Sequence, residues 1–355
     1  MISFPMIPGV EINLYLLVFA GLGAGIVSGF TGVGGGFLMT PALIILGFPA
    51  NLAVGTSITW VAGNCLVGGL RHGRLGNLDI RLGLVMVAAA TAGAEVGVRI
   101  LNWAKTSGLA DEGVLSIALV MLVAVGTYTL AESVRRKKEL DGERKGRPAV
   151  LAERLSLAQR LQGINLPPRI AFPRAQVTVS IWVMLVVGFC VGVLAGIVGV
   201  GGGFVTVPSL IYVLGVPSFV AVGTSLLQTG FSAAYGVVRH SMSGNVVVFA
   251  AFIILVASSI GVQFGVQVTR YVRAVSVRYI LGVCILLSAA GTALKLTGVL
   301  VPETASWSGP GSLAVTFGGL GLTVMMIGSL FFLALRKRRG KGVPTWAQSF
   351  LGEED

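Results

Sequence analysis

The hexapeptide GVGGGF occupies residues 32–37 and returns unchanged at residues 199–204. A second block, AVGTS, follows each copy at nearly the same distance, at residues 53–57 and 221–225. Further equivalent positions are Pro41 and Pro208, Pro49 and Pro217, Arg71-His72 and Arg239-His240, Gly76-Asn77 and Gly244-Asn245, and the pair Gly93 and Gly97 with Gly261 and Gly265. Agreement at so many positions in one register indicates an internal duplication.

The composition of the chain is that of a membrane protein. Of its 355 residues, 54% are apolar and 11% are charged, whereas soluble chains average about a quarter charged residues. The mean hydropathy is +0.88, and several apolar runs approach the ~20 residues needed to cross a bilayer. These runs are continuous and do not alternate, which excludes an outer-membrane β-barrel. The expected fold class is therefore an all-α polytopic membrane protein.

Each repeat is predicted to contain five apolar segments. They span 12–31, 35–48, 51–70, 80–101 and 113–132 in the first repeat, and 179–199, 203–215, 219–238, 246–269 and 277–300 in the second. One further segment, near 312–335, has no counterpart. The predicted organisation is a first membrane repeat at 1–132, a basic linker at 133–178, a second membrane repeat at 179–300, an additional transmembrane helix within 301–335, and a tail at 336–355.

The distribution of charge predicts the surroundings and the orientation of the chain. The formal net charge is +12, and the basic residues are concentrated between Arg135 and Arg174 and again at residues 336–339. Loops rich in lysine and arginine are retained on the cytoplasmic side of a membrane. The charge therefore favours a multi-pass protein of the bacterial cytoplasmic membrane, with lipid as its surroundings, over a protein that binds nucleic acid.

The linker admits two interpretations. Pro148 suits the first turn of a helix, and Leu151, Leu155 and Ala158 would share one face of that helix. Such a basic amphipathic helix would lie on the inner surface of the membrane. The alternative is a tether whose charged residues are simply solvated.

The glycine runs are predicted to turn the chain inside the membrane. The segment from Phe37 to Gly47 would span only about 16 Å as a helix, which is about half of the hydrocarbon core. The glycines either interrupt one long crossing or form the tip of a helical hairpin. Only the hairpin places Arg270, Arg273 and the basic tail on the cytoplasmic side. An odd number of crossings then separates the repeats, which predicts inverted repeats, an amino terminus outside and a cytoplasmic carboxyl terminus.

The same glycine breaks form the predicted binding site. Irregular backbone is tolerated at membrane depth only where it is buried in protein or lines a cavity. Helices that start at Phe37 and Phe204 would point unpaired N–H groups and positive dipole ends inward, which favours an anion. The hydroxyls of the AVGTS blocks either donate to that anion or cap helices. The candidate substrate-binding residues are Gly34, Gly35, Gly36, Phe37, Thr56, Ser57, Gly201, Gly202, Gly203, Phe204, Thr224 and Ser225.

A second group of residues has the properties needed for gating or coupling. The two Arg-His pairs end apolar segments, where they either anchor the helices at the interface or form an anion vestibule or a pH-sensitive gate. Glu95 lies inside a segment, where an acid is functional by default; it either couples protons or forms an intrahelical ion pair with Arg99. The gating or coupling candidates are Arg71, His72, Glu95, Arg239 and His240.

The sequence contains no residue set typical of an enzyme or of a metal site. Its two histidines occupy equivalent positions, and Cys65, Cys190 and Cys284 are isolated, whereas metal sites and disulfide frameworks need paired spacings. Catalysis needs a nucleophile, a base and an orienting group. GVGGGF also lacks the strand context of a dinucleotide-binding fingerprint. No catalytic residue, metal or cofactor is predicted.

The paired blocks GxGGGF, AVGTS, Arg-His and Gly-Asn resemble the TauE/SafE family of sulfite and organosulfonate exporters. The resemblance covers both repeats and excludes the linker and the tail. It implies a permease that moves sulfite, a sulfonate or a related small anion across the cytoplasmic membrane. The long basic linker and the additional last helix depart from the pattern of that family.

The sequence thus predicts an exporter or permease in which two inverted halves rock around a small anionic substrate. Two alternatives remain at this point: a permease for small carboxylates, and a non-transporting membrane scaffold whose basic linker recruits a partner. Assembly into a homo-oligomer is left open.

Overall fold

The computed structural model describes residues 2–3, 11–106, 110–144, 166–199, 201–339, 342–348 and 350–351, and these residues are almost entirely helical. The long helices are α1 (Leu14–Thr31), α3 (Ala50–Arg74), α4 (Ile80–Thr106), α5 (Ala110–Arg144), α6 (Ile181–Val198), α8 (Ser218–Met242), α9 (Val248–Thr269), α10 (Ala274–Leu300) and α11 (Ala305–Arg338). The short helices are α2 (Gly36–Ile45), α7 (Gly203–Pro208), which continues as a π-helix at Ser209–Val213, a 3-10 turn at Pro302–Thr304, and α12 (Thr345–Gln348). Two antiparallel hairpins pair β1 (Ile2–Ser3) with β2 (Glu11–Ile12) and β3 (Arg169–Phe172) with β4 (Val177–Ser180).

Eight of the helices in these ranges are long and apolar enough to cross a membrane. They are α1, α3, α4, α5, α6, α9, α10 and α11. Helix α8 has the same length as α3, its equivalent in the first repeat. The predicted fold class of an all-α polytopic membrane protein is confirmed.

The first helix of each repeat begins and ends at residues suited to those positions. The Asn13 side chain accepts a hydrogen bond from the Tyr15 N–H at the start of α1, and Ser180 accepts from the Trp182 N–H at the start of α6. Both helices end at a glycine in the left-handed region, with φ of +73° at Gly32 and +68° at Gly199. Only glycine adopts this conformation at little cost, so the chain leaves both helices at the first residue of the repeated GVGGGF block.

Two pairs of helices pack most extensively, and each pair takes one helix from each repeat: α1 lies along α9, and α4 lies along α6. Glycines permit this proximity. A Cβ at Gly192 of α6 would overlap the carbonyl of Ala90 in α4, and a Cβ at Gly25 of α1 would overlap the carbonyl of Ser258 in α9. Small residues at such contacts allow helix backbones to approach closely. The two repeats are therefore interlocked.

The equivalent helices α3 and α8 cross each other antiparallel. Ile58, near the start of α3, contacts Gly236, near the end of α8. Leu226, near the start of α8, contacts Gly68, near the end of α3. Helices α5 and α10 also run antiparallel. The additional helix α11 packs against α10 and α1.

The end of the linker is fixed to the start of α4 through Asp79. Its carboxylate accepts hydrogen bonds from the Leu82 N–H in α4 and from the Ala175 N–H in the turn between β3 and β4, both at 3.1 Å. Arg174, in the same turn, donates to the carbonyl of Leu78 at 3.3 Å. The β3–β4 hairpin therefore lies at the face of the bundle where α3 ends and α4 begins.

The carboxyl-terminal tail folds back onto the start of α10. The Phe350 carbonyl accepts hydrogen bonds from the Arg273 N–H at 2.9 Å and from the Ser276 hydroxyl at 2.6 Å. The Phe350 ring packs against Tyr279, and the Lys137 ammonium of α5 lies 4.2 Å from the centre of that ring. The tail, the end of α5 and the start of α10 therefore share one face of the bundle.

The range predicted as the linker, 133–178, contains regular structure near both of its ends. Helix α5 continues past residue 132 to Arg144, and the β3–β4 hairpin precedes α6. The amphipathic helix proposed for Leu151, Leu155 and Ala158 lies outside the described residues, so it remains a prediction.

The packing of α4 on α6 makes a testable prediction. We expect Gly192→Leu to lower the midpoint of thermal unfolding of the detergent-purified protein, because the side chain would meet backbone of α4 that cannot move aside. Overpacking of this kind costs about 1–3 kcal/mol. Gly318→Leu is the matched control, because a Cβ there meets nothing within 4 Å. Equal midpoints for the two variants would contradict the close α4–α6 contact.

Candidate functional site

The two glycine breaks have the same backbone geometry. Gly34 and Gly35 have φ of +80° and +81°, and their equivalents Gly201 and Gly202 have φ of +68° and +78°. Non-glycine residues rarely adopt these angles. In the first repeat, α2 then folds back along α1, so that Leu38 and Ala42 of α2 and Ala20 and Ala24 of α1 line one small cavity. Helices α1 and α2 therefore lie side by side, with the glycine break between them.

The tips of the two hairpins meet inside the bundle. Val61 of α3 and Thr229 of α8, which are equivalent in the two repeats, both lie next to Gly34 and next to Gly201. Gly203 approaches the backbone of Val33 so closely that a Cβ would overlap its carbonyl. The rings of Phe37 and Phe204, which begin the two returning arms, lie with centroids 6.0 Å apart. The predicted glycine and phenylalanine residues are thus brought together at one point.

The first N–H groups of both returning helices are unpaired. Within the described part of the chain, no residue accepts a hydrogen bond from the N–H of Gly36 or Phe37, or from that of Gly203 or Phe204. Neither helix start has a side-chain cap. Buried N–H groups in proteins are nearly always paired, and uncapped helix starts favour negative charge. The arrangement is therefore suited to accept an anion's oxygens.

Each threonine of the AVGTS blocks forms a hydrogen bond with the other repeat. The Thr56 hydroxyl of α3 accepts a hydrogen bond from the Val247 N–H at the start of α9, and the Thr224 hydroxyl of α8 accepts one from the Asp79 N–H before α4, both at 3.0 Å. Each threonine therefore caps a helix of the other repeat. The sequence left capping and ligand contact open, and the geometry gives these two hydroxyls a capping contact.

The serines of the same blocks differ from each other. The Ser225 hydroxyl donates to the carbonyl of Gly32 at 3.1 Å, which ties α8 to the first glycine break. The Ser57 hydroxyl is fully buried and has no hydrogen-bond partner among the described residues. Of the four candidate hydroxyls, Ser57 is therefore the one free to bind a ligand.

Two side chains of α3 outside the predicted set also contact the first break. The Asn64 amide donates to the Gly34 carbonyl at 3.2 Å and to the Ser28 hydroxyl at 2.6 Å. The Trp60 ring lies against Gly35, and its indole N–H donates to the Ser258 hydroxyl of α9 at 2.7 Å. The spacing of Ser57, Trp60 and Asn64 along one helical face is a signal that could have indicated these contacts.

The structure pairs Glu95 with residues of another helix. Arg239 of α8 binds Glu95 of α4 in a bidentate arrangement, with distances of 2.7 and 3.1 Å. The Tyr235 hydroxyl donates to the same carboxylate at 2.9 Å, and Arg99 donates to it at 2.8 Å. The intrahelical ion pair with Arg99 is present, as the sequence allowed. The ion pair with Arg239 joins two of the predicted gating candidates.

Both candidate histidines are completely buried. His72 donates through Nε2 to the Gly29 carbonyl of α1 at 3.1 Å, and its Nδ1 has no described partner. His240 lies beside Gly196 of α6, in the equivalent place. Neither of its ring nitrogens has hydrogen-bond geometry to any described residue. The histidines therefore pack inside the bundle against the last turns of α1 and α6.

The site is closed to solvent in this conformation. All six glycines from Gly34 to Gly36 and from Gly201 to Gly203 are buried. Among the described residues, no group of three or more histidine, cysteine, aspartate or glutamate side chains could hold a metal ion. The chemistry offered at and near the breaks is thus that of backbone N–H groups, the hydroxyls of Ser57 and Thr229, and aromatic rings.

Several known proteins are similar in sequence to this chain. The family model described as "Sulfite exporter TauE/SafE" matches residues 17–292. The "Probable membrane transporter protein YunE" of Bacillus subtilis (strain 168) is 25% identical over 283 residues, which cover 78% of this chain and 95% of the relative. YjnA of the same organism, also named a probable membrane transporter protein, is 24% identical over 266 residues, covering 73% and 94%. The similarly named MJ0441 of Methanocaldococcus jannaschii is 30% identical over 112 residues, covering 30% and 42%. No solved structure matches the chain.

The capping contact of Thr56 makes a second prediction. We expect Thr56→Val to destabilise the purified protein, because the buried Val247 N–H would lose its acceptor at nearly constant side-chain volume. A buried donor left unpaired costs about 1–3 kcal/mol. Thr56→Ser keeps the hydroxyl and should retain most of the stability in the same thermal unfolding assay. If valine and serine are tolerated equally, the cross-repeat cap does not contribute to stability.

Proposed function

Because the chain belongs to the sulfite exporter TauE/SafE family, we propose that this membrane transporter is a permease for a small anion, specifically sulfite or an organosulfonate. The family and the transporters that share its sequence support the general function. The observation that carries the choice of an anion is the pair of buried, uncapped helix starts with unpaired N–H groups. Sulfite and sulfonates present several charged oxygens in a compact group, which suits several converging backbone donors.

The proposed mechanism is alternating access by two repeats of inverted topology. The antiparallel crossings of α3 with α8 and of α5 with α10 support inversion, because each pair joins equivalent helices. The buried glycines support an occluded conformation, in which the anion would be held at the two hairpin tips. For the site to open to either face of the membrane, the helices on the two sides of the hairpin tips must then separate.

The packing supports a movement of two groups of helices, each of which contains helices from both repeats. The first group contains α1, α3 and α9, which are joined by the glycine contacts of α1 with α9, the Thr56 cap and the hydrogen bond from Trp60 to Ser258. The second contains α4, α6 and α8, which are joined by the α4–α6 glycine contacts, the Thr224 cap and the ion pair of Arg239 with Glu95. The α3–α8 crossing and both glycine breaks lie between the groups. Rocking at this boundary would open the site without breaking either helix pair.

The proposed orientation places the face that carries the linker in the cytoplasm. The end of α5, the β3–β4 hairpin and the tail are all held at helix ends on this face. The basic residues of the linker and tail follow the positive-inside rule only in this orientation. Anion movement from this face to the other is then export across the cytoplasmic membrane.

The glycine breaks make a third prediction, which tests the proposed site. We expect Gly35→Val and Gly202→Val each to reduce uptake of radioactive sulfite into proteoliposomes to the background rate. A Cβ at Gly35 would meet Trp60, a Cβ at Gly202 would meet Val191, and both positions have positive φ. Membrane insertion, measured by yield and size-exclusion profile, should be retained.

Gly76→Val is the matched control for these variants. Gly76 has φ of +75°, but a Cβ there meets nothing within 4 Å, so this variant carries the same backbone strain outside the site. It should transport sulfite. Wild-type uptake by Gly35→Val and Gly202→Val would reject the site. A screen over sulfite, sulfate, thiosulfate, a small sulfonate and small carboxylates identifies the preferred anion.

The orientation makes a fourth prediction. In a variant without native cysteines, single cysteines at Glu11 and Glu303 should react with a membrane-impermeant maleimide in intact cells. Cysteines at Lys138 and Arg338 should react only after permeabilisation. All four positions are exposed, so access to the reagent and not burial decides labelling. Labelling of Glu11→Cys and Arg338→Cys from the same side would contradict the proposed orientation.

A further inference from the structure

The equivalent arginines of the two repeats have different surroundings. Arg71 ends α3 and Arg239 ends α8, at equivalent positions of the repeated Arg-His pair. Each follows the central contact, at Val61 or Thr229, by ten residues along its helix, which is about 15 Å. Because α3 and α8 run antiparallel, the two arginines lie on opposite sides of the glycine breaks.

The guanidinium of Arg239 is hydrogen-bonded to a carboxylate of the protein. Its Nε and one terminal nitrogen donate to both oxygens of Glu95, and Tyr235 donates to the same carboxylate. A bidentate arginine–carboxylate pair uses the planar fork that would otherwise recognise an oxyanion. On this side, therefore, an arriving anion would have to displace Glu95 before it could bind Arg239 in the same way.

The guanidinium of Arg71 is not occupied in this way. Within the described ranges, Arg71 forms no hydrogen bond or ion pair, and it is partly exposed. The repeat-equivalent of Glu95 is Gln263, whose amide donates to the Ser259 carbonyl of its own helix. The repeat-equivalent of Tyr235 is Val67. Arg71 therefore has neither of the two groups that bind Arg239, because a glutamine and a valine stand at the equivalent positions.

The geometry points to Arg71 as the residue that recruits the anion, and to Glu95 as the residue that prevents Arg239 from doing the same on the opposite face. This inference rests on the proposed function and deepens it, because it assigns a binding site for a sulfur oxyanion to one face only. An anion is captured where the guanidinium is free and released where it is masked. With the linker face in the cytoplasm, the anion is captured at a lower concentration from the cytoplasm than from the opposite face.

The test measures the apparent KM for radioactive sulfite separately at each face, in everted and right-side-out membrane vesicles. The wild-type protein should show the lower KM at the Arg71 face. Arg71→Gln should raise the KM at that face about fivefold and leave the KM at the other face unchanged, since one half-exposed charge contact is worth up to about 1 kcal/mol. Arg71→Lys keeps the positive charge but lacks the planar guanidinium. Its KM at the Arg71 face should lie between that of the wild-type protein and that of Arg71→Gln.

The residues that differ between the repeats allow a reciprocal experiment. Glu95→Gln gives the first repeat the residue that the second repeat has at the equivalent position, and it should lower the KM at the Arg239 face about fivefold. Gln263→Glu places a carboxylate at the equivalent position of the second repeat and should raise the KM at the Arg71 face. The double variant should reverse the preference of the wild-type protein for one face.

Two variants control for the loss of a charge alone. Arg74→Gln removes a charge one turn beyond Arg71, from an exposed side chain. Glu132→Gln removes an acid of similar exposure to Glu95, 23% against 21%, which also pairs with an arginine four residues later. Both controls should keep the wild-type KM at both faces. The size-exclusion profile of every variant establishes that it is folded.

Unchanged KM values in folded, transporting Arg71→Gln and Glu95→Gln proteins would overturn the inference and leave the proposed transport function intact. Absence of sulfite flux in wild-type vesicles of both orientations would instead reject sulfite as the substrate. The two failures are therefore distinguishable in one experiment.

Discussion

Backbone polar groups have no water to bind in the hydrocarbon core, so a break in a membrane helix persists only where other protein encloses it. In this molecule both repeats contribute to the enclosing protein. Gly203 of the second break lies against the Val33 backbone of the first, and Val61 and Thr229 contact both breaks. The duplication therefore supplies part of the surroundings of each break, and the candidate site lies at the contact of the two halves.

The same dependence extends to the helix starts and the helix pairs. Thr56 and Thr224 each cap a helix of the other repeat, and the glycine-lined contacts join the first helix of one repeat to the fourth of the other. The groups of helices that pack together therefore do not correspond to the two repeats along the chain. The two most extensive helix pairs, α1 with α9 and α4 with α6, each join the two repeats.

The sequence was most informative where the structure depends on local pattern or on the repeat. Hydropathy and the lengths of the apolar segments predicted the helices, because these properties depend on residues that are adjacent in the sequence. Partners across the bundle were not predictable in the same way. Arg239 binds Glu95 over a separation of 144 residues, and the repeat gave no hint of that pair because its equivalents are Arg71 and Gln263. The hydrogen bond from Ala175 to Asp79 was hidden for the same reason, since Val247 occupies the equivalent position.

These departures from repeat symmetry bear on the direction of transport. Two inverted repeats with identical side chains would offer the same surroundings to an anion arriving from either face, so any difference between the faces must come from positions where the repeats diverge. The backbone of the breaks does not diverge, because the glycine angles and the unpaired N–H groups are the same in both. Divergence is found in the flanking side chains, where Glu95 faces Arg239 and Gln263 replaces it in the other repeat. Under the proposed function, a nearly symmetric centre would hold the anion alike in both orientations, and the flanking side chains would set its affinity at each face.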